Sequence, residues 1–477
     1  MFNDVISIHD LTSEQILYLC EKAEDMKNIE KSGQRFKLSD SLKNRKLAYM
    51  FYEPSTRTKL SFDTAMNQLG GKRDGFIGIE GTSIRKSESI MDTVKMMEAN
   101  HFDVIVMRNP IDGSVQWAAD VANIPVINGG DGKNEHPTQS LLDIFTLYSN
   151  NGKKLDDISI GFGGDLSHGR TVKSLCIMLS YFKDVKIYWA AEDFLGIPLE
   201  LIDYLESKNV TVIREKNVKD VLDKVDFYYM TRPQLERMEG ISKSLVTKML
   251  KQYKIDMDKI KNFNGKLLHP MPVNSEVEEI EKNVYFSQAQ GFLEQAENGI
   301  FMRKALLHEL LKDKDYVAFN SKLDYDLLHG NNKLIRKISP KIKQGLFIDN
   351  LNTGISIDHL KYGAAFEITS KLNLADKGYI AMPAHLPPDE EFLNGKSFLK
   401  TNMELISERE LKLVALVSNE PTINIIKDGI VVDKFVYLLC RNENCITRDV
   451  KEDVPPKFFN DGNIKCRYCR QKYVILN

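Results

Sequence analysis

No stretch of this 477-residue chain approaches the run of about 18 apolar residues that a membrane-spanning helix needs. The start, Met1 to Asp10, has neither a basic segment nor a following apolar stretch, so no secretory leader is expected and the expected location is cytoplasmic. An excess of one charge is lacking too. The formal net charge is −2, which gives no reason to expect nucleic acid or a membrane as partner. Cysteine is thin, six residues in all, and a disulfide framework is not expected in a large intracellular protein. Cys20 and Cys176 stand alone inside helical patterns. Cys440, Cys445, Cys466 and Cys469 crowd the far end of the chain and ask for a metal.

What is present is globular: 42% hydrophobic and 28% charged residues, with only 15 prolines. The length calls for three or four domains. Residues 1–150 alternate apolar strands (Lys46–Phe51, Phe76–Ile79, Val104–Met107) with helical patterns near 55–69, 87–100 and 136–149. Residues 151–290 repeat the alternation with Ile158–Phe162, Val185–Trp189 and Phe227–Met230. Two parallel α/β domains are expected. Residues 291–312 read as a long helix returning to the first domain, and 313–343, rich in Lys, Asp and Asn, as a linker. From 344 to 436, strands such as Ile423–Ile426 and Ile430–Val432 mix with helices near 359–371 and 407–415, a small α+β domain. Residues 437–477 are too few for a core and need a staple.

The most informative stretch is Ser55-Thr56-Arg57-Thr58, between an apolar strand and an amphipathic helix. Free N–H groups and the positive end of the helix dipole favour an anion there, and Arg57 adds a forked donor suited to phosphate. Arg108 follows the strand Val104–Met107 directly. His136-Pro137-Thr138-Gln139 opens a helix after Gly129–Gly132, read as a glycine-rich turn. Ligands of open α/β sheets sit beyond the carboxyl ends of strands, so the three elements can converge. Gly161–Asp165 is not a dinucleotide fingerprint, because Leu166 stands where the third glycine belongs, and NAD is rejected.

Ser-Thr-Arg-Thr together with His-Pro-Thr-Gln resembles the aspartate and ornithine carbamoyltransferase family over about residues 1–312. The resemblance implies a carbamoyl-phosphate-binding domain (1–150) and an aspartate-binding domain (151–290). It places Ser55, Thr56, Arg57, Thr58, Arg108, His136 and Gln139 around carbamoyl phosphate. His269-Pro270-Met271-Pro272, without a cysteine, is similar to the aspartate enzymes rather than the ornithine ones. Aspartate carries two carboxylates, which suit Arg170 and Arg232, with Gln234 assisting; the resemblance adds Lys86, Pro270 and Met271 to the aspartate-binding set. The resemblance also implies that Ser83 and Lys86, from the loop Thr82–Glu88, enter the active site of a neighbouring subunit, hence a homo-oligomer built on catalytic trimers. Lys86 rather than its neighbour Arg85 is expected to make that contact.

The implied reaction is attack of the neutral aspartate amine on the carbamoyl carbon, with no enzyme nucleophile and no catalytic cofactor. Thr58, Arg108 and His136 would stabilise the oxyanion, while Arg57 and Lys86 offset charge on the leaving phosphate. The product would enter de novo pyrimidine synthesis. A transcarbamylase for another amino acid is opposed by the cysteine-free His269–Pro272. A non-catalytic scaffold is opposed by the presence of every one of Arg57, Lys86, Arg108, His136, Arg170 and Arg232.

Cys440, Cys445, Cys466 and Cys469 are spaced C-x4-C-x20-C-x2-C, which suits one structural Zn²⁺ per chain with no open position. From residue 440 on there are eight Lys/Arg against five Asp/Glu, too mild an excess for a nucleic-acid ribbon. Residues 344–477 resemble the regulatory chain of aspartate carbamoyltransferase, ordinarily a separate polypeptide. That implies a regulatory nucleotide of the ATP/CTP class at Asp358, His359, Lys400 and Lys434, with a zinc-binding domain (437–477) docking the regulatory part on the catalytic one. The expected class is therefore α/β: two parallel-sheet carbamoyltransferase domains, a small α+β nucleotide-binding domain and a four-cysteine zinc domain.

Overall fold

The computed structural model describes residues 3–232, 252–274, 277–312, 335–337, 351–386, 396–460 and 462–473. The chain divides into two compact units. One comprises Met1–Arg85, Val94–Pro110 and Ala122–Asn320, the other Lys86–Thr93, Ile111–Val121 and Ser321–Asn477.

The first unit holds two parallel sheets. In the first sheet the strands β1 (Lys46–Phe51), β2 (Lys72–Ile77), β3 (Val104–Asn109) and β4 (Val126–Asp131) run in the order β2-β1-β3-β4. In the second, β5 (Ser159–Gly163), β6 (Lys186–Ala190), β7 (Thr211–Arg214), β8 (Phe227–Met230) and β9 (Lys266–Leu268) run in the order β7-β6-β5-β8-β9. Both orders reverse direction at a central strand, and the switch opens a crevice at the carboxyl ends. The strands β1, β4 and β8 are almost wholly buried, as helix-covered parallel strands must be.

Helices alternate with the strands along the chain: α1 (Ser13–Lys31), α2 (Thr56–Gln68), α3 (Ile90–Ala99), α4 (Ser114–Val121), α5 (Pro137–Asn150), α6 (Arg170–Leu179), α7 (Leu199–Ser207) and α8 (Val218–Leu222). A twenty-residue helix, α9 (Phe292–Leu311), then packs against α1, α2 and α5. Its inward polar residues have partners: Lys27 donates to Asn298 Oδ1 at 2.8 Å and to the half-buried Glu294 at 3.0 Å, and Tyr18 to Glu309 at 2.9 Å. One apolar core runs unbroken from Leu47 and Phe62 through Leu141 and Phe145 to Phe162 and Leu306. Cys20 and Cys176 lie within it, on α1 and α6.

Two expectations shift. Gly129, Gly130 and Asp131 are strand residues of β4, not a turn. Gly130 has φ +118°, and a Cβ there would lie 3.1 Å from both Arg108 Nη1 and Arg170 Nη2. Glycine serves here to let two guanidinium groups approach the backbone. In the second unit, the helix expected from residue 359 begins only at Ala364. His359 belongs to a strand, with φ +59° at a break in register between Ile357 and Leu360. A bulge of this kind bends the strand end before the turn into the helix.

The second unit carries an antiparallel sheet in the order β10-β15-β14-β11-β13-β12, built from β10 (Ile335–Lys337), β11 (Gly354–Leu360), β12 (Ala381–Leu386), β13 (Lys396–Thr401), β14 (Thr422–Lys427) and β15 (Ile430–Tyr437). Asp428 and Gly429, both at positive φ, close the β14–β15 hairpin, as an Asp-Gly pair does in a two-residue turn. Helices α10 (Ala364–Lys371) and α11 (Glu408–Val417) share a core with Ile355, Ile357, Leu399, Ile423 and Phe435. The short pair β16 (Phe458–Asn460) and β17 (Ile464–Cys466) completes the described strands.

Candidate active site and metal centre

A cleft of about 810 Å³ opens at the carboxyl ends of the two parallel sheets. From the first sheet it takes Ser55, Arg57 and Thr58 at the start of α2, Arg108 at the end of β3, and His136 and Gln139 at the start of α5. From the second come Arg170 at the start of α6, Arg232 after β8, and Pro270 and Met271 after β9. Ser55 is the N-cap of α2, yet its side chain makes no capping hydrogen bond. His136 is likewise the N-cap of α5, with Pro137 supplying the pre-set first turn. The cleft therefore has three helix starts aimed into it, each with unpaired N–H groups and a positive dipole end.

Its charge is strongly positive. Arg57, Arg108, Arg170, Arg232, Arg303 and Lys133 line it against Glu53 and Asp165. Burial, and then repulsion from Arg108, lowers the Arg57 pKa; the charge of an entering anion would offset that repulsion. Arg108 is held by Glu53, 2.8 Å from its Nε, and by the Gly129 carbonyl at 3.1 Å. Arg57 Nη2 donates to the Met271 carbonyl at 2.8 Å, so the first half of the cleft grips the loop of the second. That loop is itself braced, because His269 accepts from the Met271 N–H at 2.8 Å and meets Glu279 at 3.2 Å.

His136 is buried, and its pKa lies well below the ordinary value of 6.5. Burial is the main cause, followed by the charges of Arg170, Arg108 and Arg303. The ring is neutral at working pH and offers one N–H donor to a carbonyl oxygen without adding a proton to it. Arg303, from α9, is a lining residue that the sequence reading misses. It is 4% exposed, donates to Ser61 Oγ at 2.7 Å, and has its pKa lowered to about 10 by burial. No local motif marks it, since it lies mid-helix. Gln295, on the same helix, lines the cleft too.

In the second unit the sulfurs of Cys440, Cys445, Cys466 and Cys469 lie within 4.8 Å of one another, all buried. Cys440–Cys469 and Cys445–Cys466 are 3.5 and 3.7 Å apart. Four thiolates at about 2.3 Å from a tetrahedral metal would have edges of about 3.8 Å, so the donor set fits. The Thr447 hydroxyl donates to Cys445 Sγ at 3.4 Å, orienting it. Around the cluster, Asn442 and Asn444 donate to the buried Asp112 carboxylate at 2.8 and 3.0 Å, and Arg467 pairs with Asp120 at 2.8 Å. Glu452 accepts from the Ile90 N–H at 2.7 Å and from Trp117 Nε1 at 3.2 Å, while the buried Lys412 of α11 donates to the carbonyls of Asp449 and Glu452.

The comparisons with known proteins agree with this architecture. The aspartate/ornithine carbamoyltransferase carbamoyl-P binding domain matches residues 3–149, and the Asp/Orn binding domain of that family matches 156–310. The aspartate carbamoyltransferase regulatory chain matches as well, its allosteric domain over 346–437 and its metal binding domain over 431–474. The aspartate carbamoyltransferase catalytic subunit of Methanococcus vannielii is 39% identical over 311 residues, 65% of this chain and 98% of the relative. That of Thermococcus kodakarensis is 39% identical over 306 residues, 64% of this chain and 95% of the relative. The catalytic subunit of M. jannaschii aspartate transcarbamoylase superposes with a TM-score of 0.62 at 34% identity, over 66% of this chain and 99% of that one. The aspartate transcarbamoylase of Trypanosoma cruzi, in a structure with carbamoyl phosphate and aspartate, gives 0.59 at 30% identity, over 65% of this chain and 95% of that one.

The chain belongs to the aspartate carbamoyltransferase family. It is a carbamoyltransferase whose catalytic domains are followed, on the same polypeptide, by the domains of the regulatory chain. Of the residues expected from sequence, Ser55, Arg57, Thr58, Arg108, His136, Gln139, Arg170, Arg232, Pro270 and Met271 line this cleft. Thr56, Ser83 and Lys86 are not among the lining residues; Ser83–Lys86 is a 3-10 turn with no buried residue. Gln234 lies outside the described residues.

In the antiparallel sheet, Lys434, Asn424, Ser356 and Lys400 are successive cross-strand partners. They share one face, opposite the helices, and Asp358, two residues on from Ser356, shares it too. Asp358 is held by Asn424 at 2.7 Å and Ser356 at 3.0 Å. His359, displaced by the bulge, is at the edge of this face.

Proposed function

We propose that the cleft binds carbamoyl phosphate against Ser55, Thr56, Arg57, Thr58, Arg108, His136 and Gln139, and L-aspartate against Arg170, Arg232, Gln234, Pro270 and Met271. The observation that carries this is the convergence of three helix starts and five arginines on one cleft, with a neutral His136 beside them. The neutral α-amine attacks the carbamoyl carbon, a C–N bond forms, and the C–O bond to phosphate breaks. The departing phosphate takes the proton that the amine gives up. Thr58, Arg108 and His136 hold the developing oxyanion, and Arg57 balances the phosphate. The products are N-carbamoyl-L-aspartate and phosphate, the former a precursor for pyrimidine synthesis.

Ser83 and Lys86 complete the cleft of a neighbouring chain in a trimer, which accounts for their absence from their own chain's cleft. The four cysteines hold one structural Zn²⁺. Asp358, His359, Lys400 and Lys434 receive a regulatory nucleotide of the ATP/CTP class, with His359 and Lys434 facing its phosphates, Lys400 its ribose or base, and Asp358 accepting from a base or ribose donor. Aspartate saturation curves with and without CTP and ATP test the assignment. Carbamoyl aspartate must form, and at least one nucleotide must move the curve; a curve that no nucleotide moves rejects the regulatory site.

A further inference from the structure

Beneath the cleft, a single carboxylate joins both of its walls. Asp143, on α5, is 0% exposed. Its Oδ1 accepts from Gln139 Nε2 at 2.9 Å and from Gln295 Nε2 at 2.6 Å, and its Oδ2 accepts the Tyr229 hydroxyl at 2.9 Å. Gln295 in turn accepts the His269 N–H at 2.8 Å. Gln139 belongs to the carbamoyl-phosphate wall. Tyr229 lies on β8, three residues before Arg232, and His269 begins the loop that Arg57 grips.

We propose that Asp143 is a positioning residue for carbamoyl transfer, one that fixes which end of the Gln139 amide faces the substrates and ties that wall to the aspartate wall. The inference rests on the reading of Gln139 as a substrate contact. An ionised carboxylate only accepts hydrogen bonds, so the Gln139 NH₂ must turn down toward it and the Gln139 carbonyl oxygen is presented upward. That oxygen is an acceptor, matched to the carbamoyl NH₂ or to the attacking amine and mismatched to a carbonyl or carboxylate. The same carboxylate holds three donors from three elements, so protonating it costs at least one of these bonds. The titratable or charged groups facing it are Tyr229 from β8 and Arg303 from α9. Burial, and then Asp143 itself, keeps the Tyr229 hydroxyl protonated and donating. Burial is the main cause that raises the Asp143 pKa, to about 7.

The test is the full chain with Asp143→Asn, and Tyr229→Phe as the milder variant, assayed between pH 5.5 and 9. The amide introduced by D143N offers a donor where an acceptor is needed, so kcat should fall at least tenfold. Inhibition by inorganic phosphate, which reads the Ser55–Thr58 site, should stay within threefold. The wild-type kcat should drop on the acid side of neutrality, and that limb should vanish in D143N. Should D143N fail to fold, Y229F should still lower kcat by about threefold to tenfold. Gln139→Ala is the reference. If Q139A loses activity while D143N (or Y229F, if D143N is unfolded) keeps wild-type kcat and pH profile, this inference fails alone. If Q139A is as active as wild type, the reading of Gln139 fails and this inference with it.

Discussion

Arg57 Nη2 donates to the backbone carbonyl of Met271 at 2.8 Å, across the two halves of the cleft. The same guanidinium sits at the start of α2, where the sequence marks an anion site. One side chain thus clasps the loop of the opposite wall and, in the proposed reading, is also the charge that balances the phosphate. Arg57→Ala should lower turnover by several orders of magnitude while circular dichroism and thermal unfolding stay near wild type. Near-normal turnover would sink the assignment of the cleft.

Arg303 should matter almost as much, although it stands mid-helix. Arg303→Met keeps much of the volume and the contact with the Phe62 ring, 5.0 Å from the guanidinium, but removes a buried positive charge that faces His136. Losing one charge-assisted contact costs about 1.5–3 kcal/mol, so the KM for carbamoyl phosphate should rise roughly ten- to a hundredfold. An unchanged KM would show that Arg303 only packs.

The neutral state of His136 sets a pH dependence of stability. Its folded pKa lies below the unfolded value of about 6.5, so the unfolded chain binds more protons there. Stability therefore falls as pH falls below about 6.5, by at most about 1.4 kcal/mol per pH unit from this one group. His136→Asn cannot titrate and should show a shallower loss between pH 6.5 and 5 in urea unfolding. Equal slopes for the two proteins would contradict the neutral ring.

Metal removal should separate regulation from chemistry. A thiol reagent that strips Cys440, Cys445, Cys466 and Cys469 takes away the staple of a segment with little core of its own. Turnover without nucleotide should stay within about threefold, whereas the response to CTP or ATP should disappear. Metal analysis before treatment should give about one zinc per chain. A nucleotide response that survives complete metal loss would count against the staple.

Much of the site is legible in the sequence because its signals are local. A strand, a turn residue and Ser55–Thr58 before an amphipathic helix define a helix start, whatever the rest of the chain does. Arg108 and His136 are legible for the same reason, each lying at a strand end or helix start. The cysteine spacing is legible because two short knuckles fix their own geometry. By contrast, Gly129–Gly132 misleads, since glycine signals a turn in sequence but here gives room to Arg108 and Arg170. His359 misleads as well, because a bulge in strand pairing depends on the neighbouring strand.

The order of residues alone carries the catalytic motifs, the aspartate preference implied by His269–Pro272, and the presence of four metal-binding thiols. Folding in three dimensions was needed to bring in Arg303 and Gln295, whose helical neighbours give no hint of a cleft, and to bring Tyr229 and Gln295 to Asp143. Strand register, likewise, is what places Lys434, Asn424, Ser356 and Lys400 in one row. The reason is range: hydrogen bonding and dipoles at a helix start act within a turn of chain. A buried carboxylate such as Asp143 draws two of its three donors through space, from elements more than eighty residues away in sequence.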